Sequence, residues 1–228
     1  MFKSVLVLAA HPDDEVLGCG GTIAKLADNG SKIHIAFLAD GVGSRPSTGQ
    51  SAVGCQLVAR RKAARIASGI LGASSISFGD FPDNQMDTVS LLEIVRVVEG
   101  LITHYQPDVI FTHHVGDVNI DHKRIHEAVV TACRPQSGLP VKTLFSFEVP
   151  SSTEWQLPGS APHFAPNWFI DISVTLERKI AALNAYADEL RPWPHSRSHQ
   201  GVTYLARWRG ASAGMNAAEA FILGRHLA

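Results

Sequence analysis

The stretch Ser4-Val5-Leu6-Val7-Leu8-Ala9-Ala10, followed directly by His11-Pro12-Asp13-Asp14-Glu15, decides how this chain folds. A short apolar run that ends in small residues is typical of a buried parallel strand. The histidine and the carboxylates then stand where that strand emerges, and ligands of an open α/β sheet bind beyond the carboxyl ends of its strands. Packing alone gives no reason for these polar side chains. Because they can hold a metal ion and move a proton, the stretch predicts a functional site at one edge of the sheet.

The composition predicts one globular domain over residues 1–228 and argues against several classes of protein. Of the 228 residues, 45% are hydrophobic and 18% are charged, and the net charge is −1. This charge gives no footprint for a nucleic acid or membrane-surface partner. No apolar run approaches the roughly 18 to 20 residues that span a bilayer. The cysteines are odd in number and lack C-x-x-C spacing, so we expect a reducing, cytoplasmic compartment. The oligomeric state is left open.

Apolar runs alternate with helix-period segments along the chain, which predicts an α/β fold with a mostly parallel sheet and helices on both faces. We predict strands near residues 4–10, 32–39, 75–78, 108–113, 143–147 and 168–172. Helices are predicted over about 17–29, 56–71, 91–105, 121–132 and 174–190. Glycines in the first of these helices indicate either a close backbone approach or a tight loop. Residues 41–54 and 150–166 are irregular and are candidate active-site loops.

A second polar cluster follows the strand predicted near residues 108–113. It reads Thr112-His113-His114-Val115-Gly116-Asp117-Val118-Asn119-Ile120-Asp121-His122. Since it also lies at the carboxyl end of a strand, it can face the first cluster across the sheet edge. Catalytic zinc typically has three protein ligands and an open position, and His11, Asp14 and His122 would supply such a set. Zinc lowers the pKa of water to about 7. Asp13 would then be free to carry the proton.

Each part of this pattern also has a purely structural interpretation. An Asp-Asp pair at a strand end can simply cap a helix, and Asp121 is as good an N-cap as a catalytic group. His126 lies one turn after His122 on the same helix face, where it could be a ligand, a supporting partner or a surface residue. His113 and His114 alternate faces if the strand continues, so one would line the pocket and the other would pack.

The string His11-Pro12-Asp13-Asp14-Glu15 is followed by Gly18-Cys19-Gly20-Gly21, and Asp121-His122 comes after a later strand. In these motifs the chain resembles the zinc-dependent N-deacetylases of the PIG-L, or LmbE-like, family. Arg60 in a helix ending Ile70-Leu71-Gly72, and the stretch Ala217-Ala218-Glu219-Ala220-Phe221, are similar to further elements of that family. The resemblance covers most of the chain. It implies a Rossmann-like fold and a small-molecule substrate, a free, nucleotide-linked or lipid-linked N-acetyl amino sugar that loses its acetyl group.

The same resemblance implies roles for individual residues. His11, Asp14 and His122 would bind one zinc ion per chain, although another divalent transition metal would also suit such ligands. Asp13 would be the general base and then the acid. Arg60 would contact a sugar hydroxyl or a phosphate.

The chain departs from the family at Asn119, where many members carry the first histidine of a His-Pro-Asp-His motif that is thought to stabilise the oxyanion. An amide can donate a hydrogen bond but cannot carry a proton. We predict that His195, in Pro194-His195-Ser196-Arg197, enters the site and supplies this donor. His114 is the runner-up. Asn119 would contact the substrate, and Asp121 is a further catalytic candidate.

Two other functions stay open on the sequence: hydrolysis of a different amide, and nucleotide binding by a Rossmann-type protein without hydrolysis. The first strand is not followed by G-x-G-x-x-G, and acidic residues stand where a phosphate would need backbone N–H groups. A phosphoesterase with two metal ions would need more carboxylate ligands than this cluster offers.

Overall fold

A computed structural model describes residues 2–43 and 50–228 of the chain. A seven-stranded sheet with strand order β3-β2-β1-β4-β5-β7-β6 forms its centre. Strands β1 to β5 are parallel to one another, whereas β7 is antiparallel to both β5 and β6. The strands are β1 Ser4–Ala9, β2 Lys32–Ala39, β3 Ser75–Phe81, β4 Val109–His113, β5 Thr143–Phe147, β6 Trp168–Asp171 and β7 Ala218–His226. The predicted mostly parallel α/β sheet is confirmed.

Helices cover both faces of this sheet. They are α1 Asp14–Asp28, α2 Gln50–Leu71, α3 Leu91–Tyr105, α4 Ile120–Ala132, α5 Leu176–Leu183 and α6 His199–Ala211, with 3-10 turns at Met86–Thr88, Thr153–Trp155 and Asn184–Glu189. Val5 and Val7 of β1 point into a core with α1, α2, α5 and α6, and Leu6 and Leu8 point into a core with α3 and α4. Alternate residues of β1 therefore pack into the cores on opposite faces of the sheet. Within the described ranges, no helix is long and apolar enough to cross a membrane.

The glycines after the first motif allow α1 to pack closely against the sheet. A Cβ atom on Gly18 would lie 2.3 Å from the ring of Phe147 in β5, and one on Gly21 would lie 2.8 Å from Ile172. The helix also changes direction at Cys19, whose backbone is not helical (φ −147°, ψ 22°). The predicted close backbone approach is confirmed, and it brings the start of α1 directly over the strand ends.

A buried ion pair supports the turn in α1. Glu219 of β7 accepts hydrogen bonds from the backbone N–H groups of Gly21 at 2.9 Å and Thr22 at 2.7 Å. Lys179 of α5 donates to Glu219 at 2.6 Å and to the carbonyl oxygen of Leu17 at 2.9 Å. The carboxylate thus satisfies donors that the bend in the helix leaves without intrahelical partners.

We expect Lys179→Met to lower the free energy of unfolding by about 3–5 kcal/mol, because it leaves Glu219 buried without its cation. Arg178→Met, at a partly exposed position next to it, should cost less than about 1 kcal/mol. Urea denaturation of both variants measures the difference. Equal stability of the two variants would contradict the importance of the buried pair.

Several predicted bounds differ from the structure; helix α1, for example, begins at Asp14 rather than near residue 17. The helix predicted over 174–190 ends as an α-helix at Leu183 and continues as a 3-10 turn with a non-helical residue at Tyr186 (φ −101°, ψ 37°). Helix α2 begins at Gln50, inside the loop predicted over 41–54, and residues 44–49 of that loop lie outside the described residues. Helix α6 and strand β7 were not predicted. The first four residues of β7 are all buried, so β7 begins without the alternation that marks a strand.

Candidate metal and catalytic site

The structure brings the three predicted metal ligands together. His11 and Asp14 lie where β1 passes into α1, and His122 lies in the first turn of α4, which follows the neighbouring strand β4. Asp14 Oδ2 is 3.4 Å from His11 Nδ1 and 3.2 Å from His122 Nε2. One ligand atom from each of the three residues lies within 4.8 Å of the others. The parallel neighbours β1 and β4 therefore place two imidazoles and one carboxylate around a common point.

A carboxylate contacts the far nitrogen of each imidazole. His11 Nε2 lies 2.9 Å from Asp121 Oδ2, and His122 Nδ1 lies 3.1 Å from Asp117 Oδ1. Asp121 is itself held by the backbone N–H groups of Asn84 at 2.7 Å and Met86 at 3.0 Å. Such carboxylates fix the ring orientation of metal-binding histidines and raise their basicity. Asp121 is therefore placed as a positioning residue behind His11.

The chemistry of this cluster fits a divalent metal ion. Asp14 Oδ1 is buried and has no hydrogen-bond partner within the described part of the chain, and such an atom is costly unless something satisfies it. Burial would lower the pKa of His122, but the charges of Asp14 and Asp117 outweigh it and raise that pKa to about 9. The surroundings thus favour a positive charge. Two imidazoles and a carboxylate are ligands that zinc accepts.

A second group with metal-ligand spacing consists of His11, Asp83 and Asp121. Asp83 Oδ1 lies 3.1 Å from His11 Nε2, on the other side of the ring from Asp14. Both oxygens of Asp121 already accept backbone hydrogen bonds, so they are less available to a cation. We therefore favour the group with Asp14 and His122.

Asp13 has an unusual backbone and a side chain directed at the cavity. Its φ of 128° is rare for a residue other than glycine, and such strain is often found at functional sites. Its N–H donates to Glu15 Oε2 at 3.0 Å, and Glu15 Oε1 accepts from the hydroxyl of Tyr186 at 2.6 Å. Burial raises the pKa of Asp13 to about 6, against the opposing positive charge of Arg197. A carboxylate with a pKa near neutral pH is suited to take up and return a proton.

A polar cavity of about 100 Å³ opens beside these residues. Its lining combines carboxylates, amides and guanidinium groups, and it consists of His11, Asp13, Gly41, Arg60, Asp83, Asn84, Asn119, Glu189 and Arg197. The predicted base, one predicted ligand and both predicted substrate-binding residues therefore share one cavity.

Arg60 and Asn119 reach this cavity from different elements. Arg60 of α2 forms an ion pair with Glu189 and donates to the carbonyl oxygen of Pro12 at 3.3 Å. Asn119 is the N-cap of α4, because its side-chain oxygen accepts from the N–H groups of Asp121 and His122. The sequence allowed Asp121 to be the N-cap of this helix, but in the structure Asn119 occupies that position.

The two histidines predicted as oxyanion donors lie further out. His114 Nε2 is 2.9 Å from the carbonyl oxygen of Pro162, and His114 does not line the polar cavity. His195 accepts a hydrogen bond at Nδ1 from the N–H of Arg197 at 3.1 Å, and its ring centre is 5.6 Å from that of Trp155. His195 lines a neighbouring cavity of about 250 Å³ that shares Glu189 and Arg197 with the first. The catalytic role of either histidine stays a prediction.

The remaining histidines of the second cluster have structural positions. His113 stacks on His122 with ring centres 3.8 Å apart, and its Nε2 accepts from the N–H of Ala10 at 2.8 Å. His126 Nδ1 lies 2.9 Å from the carbonyl oxygen of His113. His126 is therefore held against the last residue of β4, where it supports the backbone of the second polar cluster.

Sequence reasoning missed Arg197, Glu189 and Asp117. Arg197 Nη1 donates to Asp13 Oδ2 at 3.0 Å, so the loop predicted to enter the site does reach it, but through the residue two positions after His195. Asp117 stands in the second cluster and was given no role. The signal in the sequence was its position two residues before Asn119, which precedes the first residue of α4. At this spacing Asp117 Oδ1 accepts a hydrogen bond from the N–H of Asn119 at 2.8 Å.

If the cluster binds a divalent metal ion, we expect Asp117→Asn to weaken that binding by about 10- to 100-fold, since a neutral amide supports His122 less well than a carboxylate does. Asp117 also accepts hydrogen bonds from the hydroxyls of Ser152 and Thr153. Thr153→Val is the matched control, because it removes a loop contact and leaves the contact with His122. Competition with a chelator measures both affinities, and equal weakening in the control would assign the effect to the loop.

Comparison with known proteins agrees with this geometry. The PIG-L family model, described as GlcNAc-PI de-N-acetylase, matches residues 6–133. The chain is 30% identical over 194 residues to the diacetylchitobiose deacetylase of Thermococcus kodakarensis, covering 82% of this chain and 70% of that protein. It is 28% identical over 232 residues to the 4-oxalmesaconate hydratase of Pseudomonas putida, covering 94% and 82%.

Among solved structures, the N,N'-diacetylchitobiose deacetylase from Pyrococcus horikoshii superimposes with a TM-score of 0.78 at 20% identity, over 98% of this chain and 84% of that one. This likeness shows the shared fold. The family match covers more than half of the chain and includes the His-Pro-Asp-Asp-Glu motif, both histidines of the predicted ligand set and the α4 cap. The chain belongs to the PIG-L family.

Proposed function

We propose that the protein is a zinc-dependent hydrolase that removes the acetyl group from an N-acetylated amino sugar, and that it works in the cytoplasm. The observation that carries the proposal is the buried group of His11, Asp14 and His122, with a carboxylate behind each imidazole and Asp13 beside it. The deacetylase relative supports the reaction type. Cys19, Cys55 and Cys133 are all free thiols, which suits a reducing compartment.

A zinc ion held by His11, Asp14 and His122 would supply a Lewis acid for the acetyl carbonyl and make hydroxide available near neutral pH. Asp13 removes the proton from the attacking water. It later returns that proton to the sugar nitrogen as the C–N bond breaks, which leaves acetate and a free amine. Arg197 holds the Asp13 carboxylate in place through its hydrogen bond to Oδ2. Arg60 and Glu189 offer a donor and an acceptor to sugar hydroxyls.

Metal analysis and acetate release test this proposal together. We expect about one zinc ion per chain and acetate release from at least one N-acetyl amino sugar. His122→Ala should lower both metal content and activity. Full metal occupancy in that variant would remove His122 from the ligand set, whereas iron or cobalt in the wild-type protein would not, because such ligands discriminate poorly between transition metals.

The same panel distinguishes the competing functions. Release of a different acid would indicate another amide substrate, and phosphate release would indicate a phosphoesterase. Nucleotide binding without any product would indicate a binding protein. Because one relative is named a hydratase, 4-oxalmesaconate belongs in the panel. Its hydration without acetate release from any sugar would overturn the proposal.

A further inference from the structure

We propose that Glu15 and Tyr186 are positioning residues, which hold the backbone of Asp13 in the conformation that turns its carboxylate into the polar cavity. Neither residue lines that cavity, so both act through Asp13 and not on the bond that is cleaved. This inference rests on the proposed deacetylase function, in which Asp13 is the general base.

Asp13 occupies the N-cap position of α1 but does not cap the helix. An N-cap residue usually has an extended backbone, and its side chain accepts a hydrogen bond from the first turn. Asp13 instead has φ 128° and ψ −27°, and its side chain makes no capping hydrogen bond. Its carboxylate lies in the polar cavity, where Oδ2 accepts from Arg197 at 3.0 Å. A conformation that costs free energy and gives up a cap persists only where other contacts enforce it.

Hydrogen bonds hold the peptide group between Pro12 and Asp13 on both sides. Its N–H donates to Oε2 of Glu15 at 3.0 Å, and its carbonyl oxygen accepts from Nη1 of Arg60 at 3.3 Å. The next carbonyl oxygen, that of Asp13, accepts from the N–H of Leu17 at 3.0 Å as α1 begins. The orientation of the first peptide group sets φ of Asp13 and that of the second sets ψ, so these contacts determine both angles.

Tyr186 holds the carboxylate that makes the first of these contacts. Its hydroxyl donates to Oε1 of Glu15 at 2.6 Å across 171 positions of the chain, and both side chains are buried. A buried carboxylate is costly unless hydrogen bonds satisfy it. With Oε1 bonded to Tyr186, Oε2 is directed at the N–H of Asp13. The loss of the Tyr186 hydroxyl therefore loosens the support of the Asp13 backbone.

The 3-10 turn Asn184–Glu189 contributes to both sides of this support. Tyr186 is a non-helical residue of the turn (φ −101°, ψ 37°). Glu189, at the end of the same turn, forms the ion pair with Arg60, which in turn donates to the carbonyl oxygen of Pro12. The turn that replaces the end of the predicted helix thus reaches the same peptide group by two routes.

Tyr186→Phe tests the proposal, because it removes the hydroxyl and keeps the buried ring. We expect kcat for acetate release to fall about tenfold at unchanged KM and zinc content, since a small displacement of a catalytic group can cost up to about 10²-fold. Tyr204→Phe removes a hydroxyl from an exposed ring on α6 and should keep the wild-type kcat. The ring of Tyr186 also lines an adjoining cavity. A higher KM at unchanged kcat would therefore assign Tyr186 to substrate binding and would overturn the proposal.

A double-mutant cycle separates the positioning of Asp13 from a general effect on the fold. If Tyr186 acts through Asp13, adding Tyr186→Phe to the Asp13→Asn protein should lower kcat by no more than about twofold, because the base is already lost. A further tenfold loss in the double variant would show that Tyr186 acts by another route, and the proposal would be wrong.

Amide hydrogen exchange at Asp13, followed by NMR, gives a readout that needs no activity. We expect Tyr186→Phe to speed the exchange of the Asp13 N–H about tenfold, because its acceptor Glu15 is held less firmly. The N–H of Ile23, later in α1, should keep its rate. Unchanged exchange at Asp13, or an equal increase at Ile23, would contradict a local support of Asp13.

The proposed function and this inference fail in different ways. If no sugar releases acetate from the wild-type protein but Tyr186→Phe speeds exchange at Asp13, the deacetylase function is wrong and the support of the Asp13 backbone stands. If acetate is released and Tyr186→Phe has the wild-type kcat, the function stands and the positioning role is wrong.

Discussion

Asp13→Asn is expected to retain zinc and fold while losing most of its turnover, with kcat lower by about 10²- to 10⁴-fold, the usual contribution of a general base. Asparagine has nearly the same size and tolerates a positive φ as aspartate does, so the backbone at φ 128° can be kept. Its amide cannot accept the proton from water. Its Oδ1 can still accept the hydrogen bond from Arg197, which preserves the position of that loop.

Acetate release and metal content, measured on the same preparation, give the result. Asp80→Asn is the control, since it removes an exposed carboxylate that is paired with Arg61 at the surface. It should behave as the wild type. If Asp13→Asn released acetate within a few-fold of the wild-type rate at equal zinc content, another group would have to carry the proton.

The metal cluster could be predicted from the sequence because its geometry follows from local rules. A buried strand that ends at His11, and a second that ends before His122, place their following residues at the same edge of a parallel sheet. Neighbouring strands β1 and β4 then bring the two groups into contact. This contact can be predicted without knowing how side chains pack, so the motifs and the order of the strands were enough to place His11, Asp14 and His122 together.

The two ion pairs that line the polar cavity join segments that are far apart in the chain, and the sequence holds no local signal for such contacts. Arg197 meets Asp13 across 184 positions, and Glu189 meets Arg60 across 129. Glu189 reaches the site because α5 gives way to a 3-10 turn, where the hydrophobic period predicted a continuous helix. The sequence predicted that the loop around His195 enters the site, but only the folded chain shows that Arg197 is the residue of this loop that contacts Asp13.

The oxyanion donor is another case in which the sequence narrows the candidates and the folded chain is needed to choose between them. Asn119 stands where the family resemblance led us to expect a histidine, and the structure fixes how its amide is turned. Asn119 Oδ1 accepts from the N–H groups that begin α4, so Nδ2 is the end that faces Asn84, whose Oδ1 it contacts at 3.0 Å. One hydrogen atom of Nδ2 is used there, and Asn119 lines the polar cavity beside Asp13. This geometry moves our expectation for the donor from His195 to Asn119.

We therefore expect Asn119→Ser and Asn119→Asp to lower kcat by about 10²- to 10³-fold, the usual loss when an oxyanion donor is removed. Serine and aspartate cap helices about as well as asparagine does, so α4 should keep its stability in both variants. Aspartate places an acceptor where a donor is needed, and the serine hydroxyl is too short to reach the same point. Thermal unfolding separates a lost cap from a lost donor.

His195→Ala and His114→Ala complete the comparison at fixed zinc occupancy. Because His195 Nδ1 accepts from the N–H of Arg197, the proton of its neutral ring is on Nε2, which leaves His195 able to donate if its loop closes over the substrate. His114 is directed at Pro162, and its loss should change kcat only a few-fold. A large loss of kcat in His195→Ala, beside Asn119→Ser within a few-fold of wild type, would return the role to His195. The same pattern with His114→Ala would assign it to His114. If Asn119 is the donor, its amide does not release a proton, and proton transfer falls to Asp13.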